Sequence, residues 1–154
     1  MDLSKMPVVL YRASIERINS AHRAFNARDH VLAMFLAGLA VECVLQTLAL
    51  RSGASRDPRH DLSAWLAKCP AALQAGIKRD VRADWSRLVA LWDNGIRYLS
   101  HDGLLEYLRD KGASTGISGG PRAVVRQNVR LVLAAATEVH KKGLSQWLSN
   151  STTS

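Results

Sequence analysis

The sequence predicts an all-α protein, an up-and-down four-helix bundle with additional short helices. Three observations carry this. β-branched and aromatic residues never alternate with polar ones over a useful length, which argues against strands. Ala, Leu and Arg dominate, and all three are good helix formers. Residues 31–50, VLAMFLAGLAVECVLQTLAL, are mostly apolar over 20 positions, as befits a helix buried on every side.

The first helix is expected over Val8–Ala27. Val8, Leu10, Tyr11, Ile15, Ile18 and Phe25 face inward, leaving Arg12, Glu16, Arg17, Asn19 and Arg23 to water. Asp29 is placed to cap the second helix, His30–Arg51. In that helix Ala33, Ala37, Gly38 and Ala40 are small and let a neighbouring backbone approach. The breaker-rich loop SGASRDPR follows. Asp61 then caps a short helix that Pro70 ends, and AALQAGI adds a turn or two. A longer helix is predicted over Asp80–Leu99, carrying Trp85, Leu88, Val89, Leu91 and Trp92, with HDGLLEYLRDKG as a further short one. Residues 112–120, GASTGISGG, lack the Gly-Lys-Ser/Thr ending of a P-loop and read as a flexible linker. The last helix begins near Pro121 and runs to Lys142, with Leu148 as its outer limit. Its apolar face is Val125, Val129, Val132, Ala136 and Val139. Residues 1–148 form one domain, and 149–154, SNSTTS, are expected to be a disordered tail.

Composition bounds the function. The 154 residues carry a formal net charge of +8, which suits a polyanionic partner such as RNA. Arg-rich composition accounts for the same charge without any partner. Cys43 and Cys69 lack C-x-x-C spacing, so neither zinc nor another cofactor is expected, and a reduced cytoplasmic setting follows. His22 and His30 have no third ligand at helical spacing, so no metal site is expected there. The N-terminal residues do not read as a signal peptide. Residues 31–50 mimic a membrane span, but Glu42 near their centre would cost roughly 2.5–3.5 kcal/mol on insertion. A buried core helix is the better reading, with no membrane partner.

Three blocks hold the chemistry-bearing residues: FLAGLAVECVLQTLALRSG (35–53) with Glu42, HDLSAWL (60–66) with His60 and Asp61, and WDNGIRY (92–98) with Arg97 and Tyr98, just before His101. In order and spacing they resemble the HEPN family over residues 8–145. The resemblance implies a helical up-and-down bundle and a homodimer. It implies a toxin, or a partner of a nucleotidyltransferase-type antitoxin, in a prokaryotic toxin–antitoxin or defence system. Active members cut RNA without metal through an Arg-x(4–6)-His motif. Here Arg97 and His101 form Arg-x(3)-His, one residue short, Tyr98 stands where a polar residue is usual, and Gln46 stands where Lys is common. The expected function is therefore an RNA-associated or partner-binding component with a degenerate nuclease motif. The alternatives are an active metal-independent endoribonuclease using Arg97 and His101, and a non-catalytic structural adaptor.

The residues support both kinds of role. Metal-free RNA cleavage needs a proton acceptor and donor, which His supplies, and a cation against developing phosphorane charge, which Arg supplies. On one helix, Arg97 and His101 would share a face. Against this, Arg97 or His60 could pair with a buried Glu42, Tyr98 could bury its ring, and His101 could sit at a helix end. Adjacent His60 and Asp61 point apart on a helix, so Asp61 reads as a cap rather than half of a catalytic dyad. Arg122, Arg126 and Arg130 form a basic stripe that, with Arg51, Arg56 and Arg59 in the earlier loop system, could contact phosphates.

Overall fold

The computed structural model describes residues 3–57 and 59–151, and the regular structure among them is all helical, with no strand. Seven α-helices occur in the order α1 (Met6–Asn26), α2 (His30–Arg51), α3 (Leu62–Ala67), α4 (Ala71–Asp80), α5 (Arg82–Leu91), α6 (His101–Asp110) and α7 (Gly120–Ser151).

α2 is the centre. Met34, Val41, Val44 and Leu45 are fully buried, and Leu48 nearly so, on different sides of the helix. Each such side chain contributes roughly 1.5–3 kcal/mol on leaving water. α2 is long and apolar enough to cross a membrane, and 67% of its most apolar window is buried against the other helices. α1 and α7 cover it from two sides. α1 runs antiparallel to α2, since the Thr47 hydroxyl near the end of α2 reaches the Pro7 carbonyl at the start of α1. α7 runs antiparallel to α1: Tyr11 stacks on Trp147 with ring centroids 5.1 Å apart, and His22 meets Thr137 at 3.1 Å. The apolar face expected on α7 is the buried one: Val125, Val129, Val132, Ala136 and Val139 are at most 1% exposed.

Several boundaries differ from expectation. The helix predicted over Asp80–Leu99 is broken. α5 ends at Leu91, the chain extends through Trp92 and Asp93, and a short 3-10 helix covers Asn94–Tyr98. Asp93 explains the break, because its carboxylate accepts from the Gly95 amide at 2.6 Å and starts the new turn. Trp92 then anchors the corner by donating its indole N–H to the Phe35 carbonyl at 3.1 Å.

The linker GASTGISGG is a series of tight turns. Gly112, Gly116, Gly119 and Gly120 all have φ between 71° and 107°, where other residues are strained. Asn128 ties it down by donating to the Ala113 carbonyl at 2.9 Å. Residues 149–151, expected to be disordered, continue α7. Arg51 holds that end by donating to the carbonyls of Trp147 (3.2 Å) and Asn150 (3.0 Å), satisfying helix C-terminal acceptors. The remainder of the expected tail, residues 152–154, lies outside the described residues.

Candidate functional site: an arginine–histidine groove

Three helices begin at the same end of the molecule: α2 at His30, α6 at His101 and α7 at Gly120. Two start the same way. Asp29 caps α2 by accepting from the Leu32 amide at 3.1 Å, and Ser100 caps α6 by accepting from the Gly103 amide at 3.0 Å. Each cap is followed by a histidine as the first helical residue. Arg28, between α1 and α2, has φ 63°, the left-handed conformation that turns the chain back within three residues.

Phe25, Asn26, Arg28, His30, His101, Arg122 and Arg126 line a cavity of about 700 Å³ at this end. A second cavity of about 680 Å³ shares Arg28, His30 and His101 with it and adds Arg97, Leu99, Leu32 and Phe35. A third, of about 570 Å³, shares Arg126 and continues to Arg130 beneath Gly116–Ser118. Shared walls join these spaces into one groove, and a fourth space of about 470 Å³, which shares His101 and Arg122 with the first, brings the Asp102 carboxylate to its edge. No carboxylate lines the first cavity. Asp29 lines the second, where its oxygen already accepts the α2 amide.

The electrostatics favour an anion. Each helix N-terminus carries roughly half a positive elementary charge, and three point here. His30 and His101 stand with ring centroids 5.9 Å apart, and Phe25 packs against His30 at 5.6 Å. Burial holds the His30 imidazole below its usual pKa, and His101 and the Arg126 guanidinium push it the same way. The nearby Asp29 carboxylate pulls the other way and does not reverse this direction. Nδ1 of His30 is buried without a hydrogen-bond partner. Among the described residues no group of three or more metal-ligating side chains occurs.

The structure separates some expected partners and joins others. Arg97 and His101 do not share a helix face. Arg97 lies in the 3-10 helix, His101 opens α6, and Leu99 and Ser100 between them are extended. Both still line the second cavity. Tyr98 does not bury its ring: the residue is 76% exposed, with the Arg97 guanidinium 4.6 Å from the ring centroid.

Glu42 is buried at 1% exposure, and its partner is the His60 imidazole, not the exposed Arg97. His60 Nδ1 lies 2.9 and 3.0 Å from the two carboxylate oxygens, and Gln46 donates to one of them at 2.7 Å. Burial raises the Glu42 pKa, and the His60 contact opposes that shift. Asp61 caps α3, accepting from the Ala64 amide at 3.0 Å.

The grouping of basic residues needs correction. Arg122 and Arg126 line the groove with His30 at the start of α2, but Arg51 is the last residue of α2, and Arg56 and Arg59 follow it. The 22 residues of α2 place these ends about 33 Å apart along the axis. Arg59 is also committed to Asp57 at 2.7 Å, and Arg51 to the end of α7. Arg56 lines a separate, smaller cavity with Glu42 and His60.

His30 and Arg28 are the groove residues that the motif reading passed over. One signal marks His30, which follows a capping residue as His101 does; Arg23 precedes it with six residues between but does not line the groove. Arg17 and His22 also fit the four-to-six spacing, but neither lines the groove. No protein family, curated protein or solved structure matches this chain.

Proposed function

We propose that this chain is a HEPN-like, RNA-associated component of a prokaryotic toxin–antitoxin or defence system, and that the arginine–histidine groove is its RNA-facing surface. It acts in the cytoplasm as a homodimer or bound to a nucleotidyltransferase-type antitoxin. In this reading α1, α2, α5 and α7 are the four-helix bundle, and α3, α4 and α6 are its additional short helices.

The observation that carries the reading is the cavity of about 700 Å³ in which Arg28, Arg122 and Arg126 surround His30 and His101 without a carboxylate. Guanidinium forks match phosphate oxygens in geometry and charge. Arg97 and His101, too close in sequence for the family motif and divided between two elements, form the degenerate nuclease motif. The test is RNA binding by wild type and by the double variant Arg122→Glu, Arg126→Glu. Wild type should bind with strong salt dependence, and the variant should bind at least about tenfold more weakly, the equivalent of 1.4 kcal/mol. Equal binding would reject the groove. Light scattering tests the dimer, and a sole species of 16.9 kDa at working concentration would reject it.

A second reading, an active metal-independent endoribonuclease using Arg97 and His101, is favoured by the pairing of His101 with His30. Neutral His30 would take the proton of a 2′-hydroxyl as its oxygen attacks phosphorus. His101 would give a proton to the departing 5′-oxygen, leaving a 2′,3′-cyclic phosphate, while Arg97 and Arg126 balance the added charge. RNA cleavage in the presence of a chelator, lost in both His30→Ala and His101→Ala, would establish this reading. Binding without cleavage would leave the first.

A further inference from the structure

We infer that the cavity beside Glu42 is a second binding site, separate from the groove, for a small apolar α-amino acid, with the ligand's ammonium on Glu42 and its carboxylate on Arg56. The cavity is about 290 Å³, near the lower limit for a small-molecule site, and suits one small metabolite. Glu42 stands twelve residues after His30 on α2, about 18 Å along the axis from the groove. Its carboxylate is fixed in place: Gln46 donates to Oε1, and His60 Nδ1 spans both oxygens. A carboxylate offers about four acceptor positions, so Oε2, met by His60 alone, keeps one for a ligand donor. An ionised carboxylate only accepts, so Nδ1 carries the hydrogen and Nε2 of the partly exposed ring remains an acceptor. The Glu42 pKa stays raised despite both neighbours, so they do not fully offset the burial of its charge.

The rest of the lining selects the ligand. Arg56 borders the same cavity, is exposed, and makes no ion pair among the described residues. Asp57 borders it too but is already engaged, with Arg59 at 2.7 Å and Lys68 at 3.1 Å on its carboxylate. One buried anion and one unpaired cation therefore share a small space, and no ion pair joins them. Leu10, Leu50 and Trp65 give the cavity an apolar side. A molecule with an ammonium, a carboxylate and a short apolar tail matches all three features, through charge-assisted hydrogen bonds at its two polar ends. An amine alone would leave Arg56 without a partner, and an anion alone would face the Glu42 carboxylate. A metal ion fits less well. His60 turns a protonated nitrogen toward Glu42, and no group of three ligating side chains occurs among the described residues.

The test is calorimetric titration of the full chain, to millimolar ligand, with L-leucine, with its amine half (isoamylamine) and with its acid half (isocaproate). Wild type, Arg56→Ala, Glu42→Gln and Arg126→Glu are compared, with circular dichroism on each to check folding. Wild type should bind L-leucine at least about tenfold more tightly than either half, because each charged end adds a contact. Arg56→Ala should lose the preference over isoamylamine while binding isoamylamine as wild type does. Glu42→Gln should weaken L-leucine and isoamylamine alike, by at least about tenfold. Arg126→Glu should bind L-leucine as wild type does, which keeps this site distinct from the groove and from the reading placed on it. Should Glu42→Gln fail to fold, Arg56→Ala still decides, since its side chain is exposed: unchanged L-leucine affinity there would overturn the inference. Equal binding of L-leucine and isoamylamine by wild type would overturn the zwitterion, and L-aspartate bound as tightly as L-leucine would overturn the apolar tail. A loss in Arg126→Glu would move the ligand to the groove and overturn the assignment. No binding of L-leucine by wild type would overturn the site itself.

Discussion

Gly38 and Trp92 share a space that only one side chain can fill: a Cβ built on Gly38 would overlap the indole ring. The ring is 6% exposed and donates to the Phe35 carbonyl one turn away on α2. Gly38→Ala therefore sets two effects against each other. Alanine gains roughly 1 kcal/mol of helix propensity over glycine. Displacing a packed indole costs about 1–3 kcal/mol, and its lost hydrogen bond about 1 kcal/mol more. The clash should win, because the indole is held from both sides. Thermal unfolding by circular dichroism should show a lower Tm, and a raised Tm would contradict the packing. Since Trp92 leads into the 3-10 helix bearing Arg97 and Tyr98, the variant should also disturb the groove.

Glu42→Ala removes a carboxylate that satisfies His60 and Gln46. Breaking a fully buried ion pair costs about 3–5 kcal/mol. The His60 side chain is 42% exposed, so water takes over part of its role, and a loss of about 2–3 kcal/mol is expected. Urea unfolding measures it. A change within error would mean that the Glu42–His60 contact stabilises nothing.

His140 gives the fold a pH dependence of known sign. It is 3% exposed, its Nε2 lies 3.0 Å from the Ser14 hydroxyl, and burial depresses its pKa to about 4. The unfolded chain binds this proton below pH about 6.5, whereas the folded chain resists it until about 4. Stability is therefore complete above about 6.5 and is lost as pH falls toward 4, by up to about 3 kcal/mol. Wild type and His140→Gln, compared by Tm across this window, should differ in slope, with the variant flatter. Parallel curves would show that His140 does not titrate with unfolding.

Arg126 is exposed and makes no ion pair among the described residues, so Arg126→Ala should change stability by less than about 0.5 kcal/mol. If Arg126 contacts one phosphate, the slope of log affinity against log salt should become shallower by about 0.7 for single-stranded RNA. Titrations between roughly 50 and 200 mM salt resolve this. An unchanged slope would place Arg126 outside the contact.

The long helices were legible because each writes its own pattern. α2 is apolar on all sides, and α7 repeats its valines at helical spacing. The small residues of α2 pointed to the close approach of a neighbouring backbone, but at Gly38 the space is taken by a side chain, the Trp92 indole. The break at Trp92 was also written locally, in Asp93, Asn94 and Gly95, but the apolar pattern that continues across it hid the turn. The groove was less legible for a different reason. His30, His101 and Arg122 come from three helix starts far apart in the chain, and no periodicity within one segment reports their meeting. Glu42 was readable as buried, but its choice of His60 over Arg97 depends on the path of the loop before α3. The basic residues misled because charge in a sequence carries no address: Arg59 and Arg126 look alike until one is found beside Asp57.

The convergence of three helix starts has an evolutionary consequence. Their pull on anions resides in the backbone, so it would persist through wide sequence drift as long as the fold is kept. On the proposed function, the exposed arginines and the two histidines would then only tune which anion is held and whether it reacts. Lineages sharing this architecture could exchange a cutting site for a gripping one, or one ligand for another, through a few surface replacements that leave the core untouched.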